Sequence, residues 1–127
     1  KRGVDVRIYT PGVPDKPTIY QLTRSYFPHL LRAGVKIYSY TPGFLHAKTW
    51  LVDDRIAAVG TVNLDYRSLY LHFENSVLIY GGAVLDDVRR DLAEIEKESA
   101  AVTLADCRTG FFGTLYSAVL RLVAPLC

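Results

Sequence analysis

The chain has no methionine, one tryptophan, two cysteines and three histidines in 127 residues. Without methionine, Lys1 is not expected to be a native start, and the chain reads as a piece of a longer protein with sequence upstream. Cys107 and Cys127 lack C-x-x-C spacing, so neither a thiolate metal site nor a disulfide framework is implied, and a reducing compartment is expected. No uninterrupted apolar run reaches the roughly 18 residues that span a bilayer. The basic start Lys1-Arg2 leads into a strand-like pattern, not a signal core, and the chain as given is expected to be soluble. Strong charge is missing too: 15 Lys and Arg against 13 Asp and Glu leave a formal net charge of +2. Nucleic-acid partners ask for a clustered basic face, so none is expected.

What the chain does have is apolar content of 50% against 22% charge, enough for one core and not two. A single domain over residues 1–127 is expected. Val4, Val6 and Ile8 alternate with Asp5, Arg7 and Tyr9, the period of a strand over Val4 to Tyr9 with one buried face. Thr10 to Pro17 holds three of the six prolines and reads as a loop. Ile19 to Ala33 has helical spacing ended by Gly34, with Pro28 inside it predicting a kink or two shorter pieces. Strands are predicted at Val35 to Tyr40, His46 to Val52, Ile56 to Val59 and Glu74 to Tyr80, with turns at Thr41-Pro42-Gly43 and Asp53-Asp54. After Gly82, the residues Val84, Leu85, Val88, Leu92 and Ile95 share one helical face. A last amphipathic helix is predicted over Phe111 to Val123, its apolar residues packing into the core or, as the second reading, lying on a membrane surface. This order gives an α/β class, a mixed sheet flanked by helices.

The sharpest feature is H-x-K-x(4)-D-x(6)-G-T-x-N, made by His46, Lys48, Asp53, Gly60, Thr61 and Asn63. On a strand, residues two apart share a face, so His46 and Lys48 are expected to project together, as are Thr61 and Asn63. If the Asp53-Asp54 turn folds the next strand back, both polar pairs converge while Leu51, Ile56 and Val59 help fill the core. Ammonium, amide and hydroxyl groups suit phosphate oxygens, and an imidazole beside them suits nucleophilic attack on phosphorus. Gly60 fits if the backbone passes close to such a ligand. A lone His on a strand is more often a hydrogen-bonded structural residue. Four further residues at fixed offsets from it are a joint accident of only about one in 10⁵. Asp53, first in a turn, is expected to orient the hairpin rather than contact substrate. Asp65, Arg67 and Ser68 are expected to form a helical turn at the rim, where Arg67 pairs with Asp65 or contacts the substrate.

This pattern resembles the H-x-K-x(4)-D signature of the phospholipase D superfamily. The longer run GFLHAKTWLVDDRIAAVGTVNLDYRSLYLHFENSVLIY resembles the second such motif of bacterial cardiolipin synthases, and the segments Arg2 to Tyr40 and Arg121 to Leu126 extend the likeness. The resemblance implies one half of a two-lobed enzyme that transfers a phosphatidyl group between phosphatidylglycerol molecules through a phosphohistidine intermediate. It implies His46 as nucleophile or acid/base, Lys48 and Asn63 as phosphate ligands, and Glu74 as the group that orients His46. Thr61 stands where many members have Ser, with its hydroxyl kept for substrate, and Asp53 completes the motif. No cofactor or metal is implied. The partners implied are a phospholipid at the bacterial inner-membrane surface and either the missing N-terminal half or a second copy of the chain. His72 stands where synthases commonly carry Asn. Two other readings remain open: a single-motif homodimeric phosphodiesterase, acting as phospholipase or nuclease, and a non-catalytic phosphate-binding half.

Overall fold

Gly34, at φ 89°, takes the left-handed conformation that closes the first helix, α1 (Pro17–Arg32). Its amide donates to the Leu31 carbonyl at 3.0 Å and the Val35 amide to the Leu30 carbonyl at 3.1 Å, the paired bonds of a glycine-terminated helix. The computed structural model describes residues 3–126; Lys1, Arg2 and Cys127, part of the expectations above, lie outside the described residues. The chain gathers into two compact units: residues up to Leu45 together with those from Glu98 onward, and His46–Lys97.

The first unit holds β1 (Arg7–Pro11), α1, β2 (Lys36–Tyr40), β6 (Ser99–Ala101), α3 (Phe111–Val123) and a short 3-10 turn, Ala124–Leu126. β1 lies parallel to β2 from Arg7↔Lys36 to Pro11↔Tyr40, and β6 lies antiparallel on the other side of β2. β1 starts later than the alternation predicts, and Val4 and Val6 are exposed. The ladder register matches the shift: β2 begins at Lys36, opposite Arg7, and Val6 just before it is held to β2 by its carbonyl, which accepts from the Lys36 amide at 2.9 Å. Gly12 sits where an added Cβ would come within 2.6 Å of the Tyr40 carbonyl oxygen. α1 is a single helix with Pro28 inside it, not two shorter pieces. Leu22, Leu120 and Ala124 form this unit's buried cluster, packed against Tyr26.

α3 is bounded as predicted, but only Leu120 of it is buried, while Phe111, Phe112 and Leu122 are exposed. Its polar anchor is Arg121, which donates to the Ser25 hydroxyl at 3.1 Å, the Ser25 carbonyl at 2.6 Å and His29 Nε2 at 3.1 Å. The same guanidinium lies 5.4 Å from the Tyr26 ring centroid. Arg has no acceptor, so it donates in all of these contacts. His29 is thus a structural partner of α3.

The second unit is an antiparallel sheet of β3 (Thr49–Val52), β4 (Ile56–Gly60) and β5 (Ser76–Tyr80), with a π-helical turn Arg67–Leu71 and the helix α2 (Val84–Lys97). β3 and β4 join through Asp53 and Asp54, at φ 50° and 53°, and the Arg55 amide closes the turn on the Val52 carbonyl at 3.0 Å. Arg89 of α2 holds that turn, pairing with the Asp54 carboxylate at 3.3 Å and the Asp86 carboxylate at 2.7 Å. These two partners, Asp54 first, hold the Arg89 guanidinium above its ordinary value. Most of the predicted stripe of α2 is covered, with Leu85 buried and Val88, Leu92 and Ile95 half-buried, but Val84 at its start is exposed. Of the three residues expected to fill the core here, Leu51 and Ile56 are half-buried but Val59 is 40% exposed, and the buried residue of β4 is Ala57. Among the described residues no helix is long and apolar enough to cross a membrane.

Candidate active site

β3 begins at Thr49, so His46 and Lys48 lie just before the strand and not on it. The expected shared strand face does not exist for this pair. Their proximity is set instead by a local bond: the Lys48 ammonium donates to the His46 carbonyl at 2.7 Å. The Gly60 amide donates to the Lys48 carbonyl at 3.2 Å. That bond ties the H-x-K segment entering β3 to the G-T-x-N segment leaving β4. It joins the backbones of the two segments that carry the polar pairs, beyond the regular ladder.

Gly60 is required by a different neighbour from the one expected. A Cβ there would collide with the Asn75 carbonyl and with the backbone and hydroxyl of Ser76. The close approach is that of β5, paired in register Gly60↔Ser76, rather than that of a ligand. Thr61 continues this pairing after the strand ends. Its amide donates to the Asn75 carbonyl at 3.0 Å, and its hydroxyl oxygen accepts from the Asn75 amide at 3.0 Å.

The Thr61 hydroxyl donates to Glu74 Oε2 at 2.5 Å, with a longer contact of 3.3 Å to the Asn75 carbonyl. A hydroxyl has one hydrogen, and the shorter contact takes it. Thr61 was expected to give that hydrogen to a phosphate; here it goes to Glu74. Thr61 first and Ser68 second hold the Glu74 carboxyl below its ordinary value; partial burial opposes them, and the charges of His72 and Lys48 assist.

The sequence-predicted residues therefore divide. Lys48, Thr61 and Glu74 are linked around the ends of β3, β4 and β5. His46 enters the same place through its carbonyl, and both it and Asn63, two residues after Thr61, are exposed. Arg67 is exposed at the start of the π-helical turn, its carbonyl accepting from the His72 amide at 2.9 Å. Asp65 caps that turn by accepting from the Ser68 amide at 2.7 Å. Asp53 is not brought to the group. It sits in the turn at the far end of β3, whose four residues at about 3.3 Å each separate it from Lys48. Its left-handed backbone fits the hairpin role. Ser68, buried in the π-helical turn, is the residue near the motif that sequence reasoning left without a role.

A mixed α/β chain with H-x-K before one hairpin strand and G-T-x-N after the next defines a phospholipase-D-like domain. The family model described as cardiolipin synthase, PLD-like domain, matches residues 1–95. A cardiolipin synthase of Clostridium perfringens is 42% identical over 125 residues, 98% of this chain and 26% of the relative. One from Geobacillus kaustophilus is 39% identical over 125 residues, again 98% of this chain and 25% of the relative. An uncharacterized protein of Streptococcus mutans is 50% identical over 127 residues, 99% of this chain and 28% of the relative. The chain belongs to the cardiolipin synthase family of phospholipase-D-like domains. It spans about a quarter of the length of these relatives.

Proposed function

We propose that this chain supplies one His-Lys motif of an enzyme that transfers a phosphatidyl group between two phosphatidylglycerol molecules, releasing glycerol and forming cardiolipin. A nitrogen of His46 attacks phosphorus, and a P–N bond forms as the bond to the glycerol oxygen breaks. A second histidine, from the other half of the enzyme or a second copy of the chain, gives its proton to that oxygen. The hydroxyl of the second phosphatidylglycerol then attacks phosphorus and loses its proton to the same second histidine. The P–N bond breaks and His46 is regenerated.

Lys48 and Asn63 hold the phosphate oxygens, Arg67 meets the lipid headgroup, and Asp53 shapes the hairpin. Glu74 accepts a hydrogen bond from the ring nitrogen of His46 that does not attack, which fixes the tautomer. The reaction runs at the surface of the bacterial inner membrane, with the anchor and the first motif supplied by other sequence.

The observation that carries this reading is the Gly60 amide bond to the Lys48 carbonyl, which sets the two parts of the motif side by side. The test measures solution mass together with conversion of phosphatidylglycerol to cardiolipin, for this chain alone, for the full-length protein, and for each with His46→Ala. An inactive isolated chain and a full-length protein that His46→Ala inactivates support the split-site transferase. An isolated chain active as a dimer makes it a self-sufficient phosphodiesterase and overturns the split-site claim.

A further inference from the structure

α3 hides its one charge and displays its largest apolar side chains. At about 100° per residue, Phe111, Phe112, Leu115, Tyr116, Val119 and Leu122 share a continuous arc of about 140°, and every one of them is at least half exposed. Phe112 and Leu122 reach 83% and 81%. The opposite side holds Gly113, Ser117, Leu120 and Arg121, all buried or half-buried. A surface helix of a water-facing domain does the reverse, turning its apolar stripe to the core and its charges to solvent.

The rotation of α3 is fixed by that covered arginine. Arg121 donates to the Ser25 hydroxyl and carbonyl of α1 at 3.1 and 2.6 Å and lies 5.4 Å from the Tyr26 ring centroid. Leu120 and Ala124 join Leu22 of α1 in the buried cluster. Rolling the large side chains toward α1 would break these contacts, so the outward arc is held away from it. A contiguous apolar patch of this kind marks a contact with another protein or with a membrane.

Charge decides between the two. α1 and α3 together hold Arg24, Arg32 and Arg121, three of the chain's 15 Lys and Arg, and none of its 13 Asp and Glu. A helix pair with an uncharged apolar face and only cations around it complements an anionic lipid surface: the headgroups attract the arginines and the acyl boundary accepts the face. The six residues of the arc carry no charge to desolvate. The 13 residues of α3 rise about 20 Å, short of the roughly 30 Å hydrocarbon core. The helix can therefore lie in the interface and cannot span it.

We propose that the outward face of α3 docks on an anionic phospholipid bilayer, with its axis in the membrane plane, Phe111, Phe112 and Leu122 at the acyl boundary and Tyr116 at headgroup level. This contact adds to the anchor proposed elsewhere in the full-length protein. It needs a bilayer but not the transferase reaction.

The first experiment sediments this chain with vesicles of phosphatidylglycerol or of phosphatidylcholine. Binding is expected to be tighter to phosphatidylglycerol, and the paired substitutions Phe112→Ser and Leu122→Ser are expected to weaken it at least about tenfold. The second places a fluorophore on Phe112→Cys in the full-length protein, its other cysteines replaced by serine, in phosphatidylglycerol vesicles whose acyl chains carry bromine. The bromine is expected to quench the label.

Binding to phosphatidylglycerol no tighter than to phosphatidylcholine, a doubly substituted chain that binds as well as the unaltered one, or a label that bromine leaves bright overturns the inference. A dimer in solution that Leu122→Ser dissociates, with the label unquenched, puts a second copy on the face and overturns it too. Should the doubly substituted chain fail to fold, the label decides. Neither measurement needs turnover, so quenching beside an active His46→Ala protein sinks the transferase reading and leaves the docking face standing.

Discussion

Thr61 and Glu74 are joined by a hydroxyl-to-carboxylate hydrogen bond of 2.5 Å across 13 positions of sequence. It closes the loop between β4 and β5 and commits the one hydrogen of Thr61 to Glu74. Because this bond favours the charged carboxylate, the folded pKa of Glu74 is lowered. Its contribution to stability is therefore present above the ordinary carboxylate pKa and is lost as pH falls through the lowered folded value.

Replacing Thr61 by Val removes that donor while keeping the shape. The Glu74 carboxyl then protonates at higher pH, and the acid limb of the pH-rate profile of the full-length protein shifts upward. Thr61→Ser, which retains the hydroxyl, leaves the limb where it was. A pH profile of cardiolipin formation for the two variants checks both.

Gly60→Ala forces a Cβ into the Asn75 and Ser76 backbone. The strands must separate, at a cost of about 1–3 kcal/mol, and the loss appears as a lower urea midpoint. Activity is expected to fall too, since Gly60 also carries the amide bond to Lys48.

Asp53 has a left-handed backbone, which Asn adopts readily and β-branched residues resist. Asp53→Asn is therefore expected to keep both fold and rate, and Asp53→Val to lose about 1–2 kcal/mol. Thermal unfolding of the two variants distinguishes a hairpin role from a chemical one, because a chemical role for the carboxylate makes Asp53→Asn inactive at full stability.

Arg121→Ala removes three hydrogen bonds from α3 to α1 and a cation–π contact with Tyr26. Leaving the buried Ser25 hydroxyl without this donor is expected to cost about 1–3 kcal/mol. Urea unfolding followed by Tyr fluorescence measures it.

Much of this architecture was legible because it rests on local pattern. The stripe of α2 and the limits of α3 follow from apolar spacing and adjacent glycines, and the Asp53-Asp54 turn from residues that tolerate positive φ. What was not legible depended on partners distant in sequence. β1 starts where β2 offers it a neighbour, and β6, Ser99–Ala101, has no strand-like alternation and exists because it pairs with β2. The exposure of much of α3 is a tertiary outcome that periodicity does not encode.

The site divided in the same way. The spacing from His46 to Asn63 was visible as a string of residue types, and the pairing of Gly60 with Lys48 shows why that spacing matters. Ser68 was noticed only as part of a turn. A serine in the run DYRSLY carries no periodic signal, and its burial appears only once the π-helical turn has formed.

The most direct test of the central claim is the rate of cardiolipin formation from phosphatidylglycerol vesicles by the full-length protein, measured with and without His46→Asn. If His46 carries the transfer, the substitution lowers the rate by at least about a hundredfold while the fold is kept. A folded His46→Asn protein that still forms cardiolipin at a rate close to that of the unaltered enzyme contradicts the account.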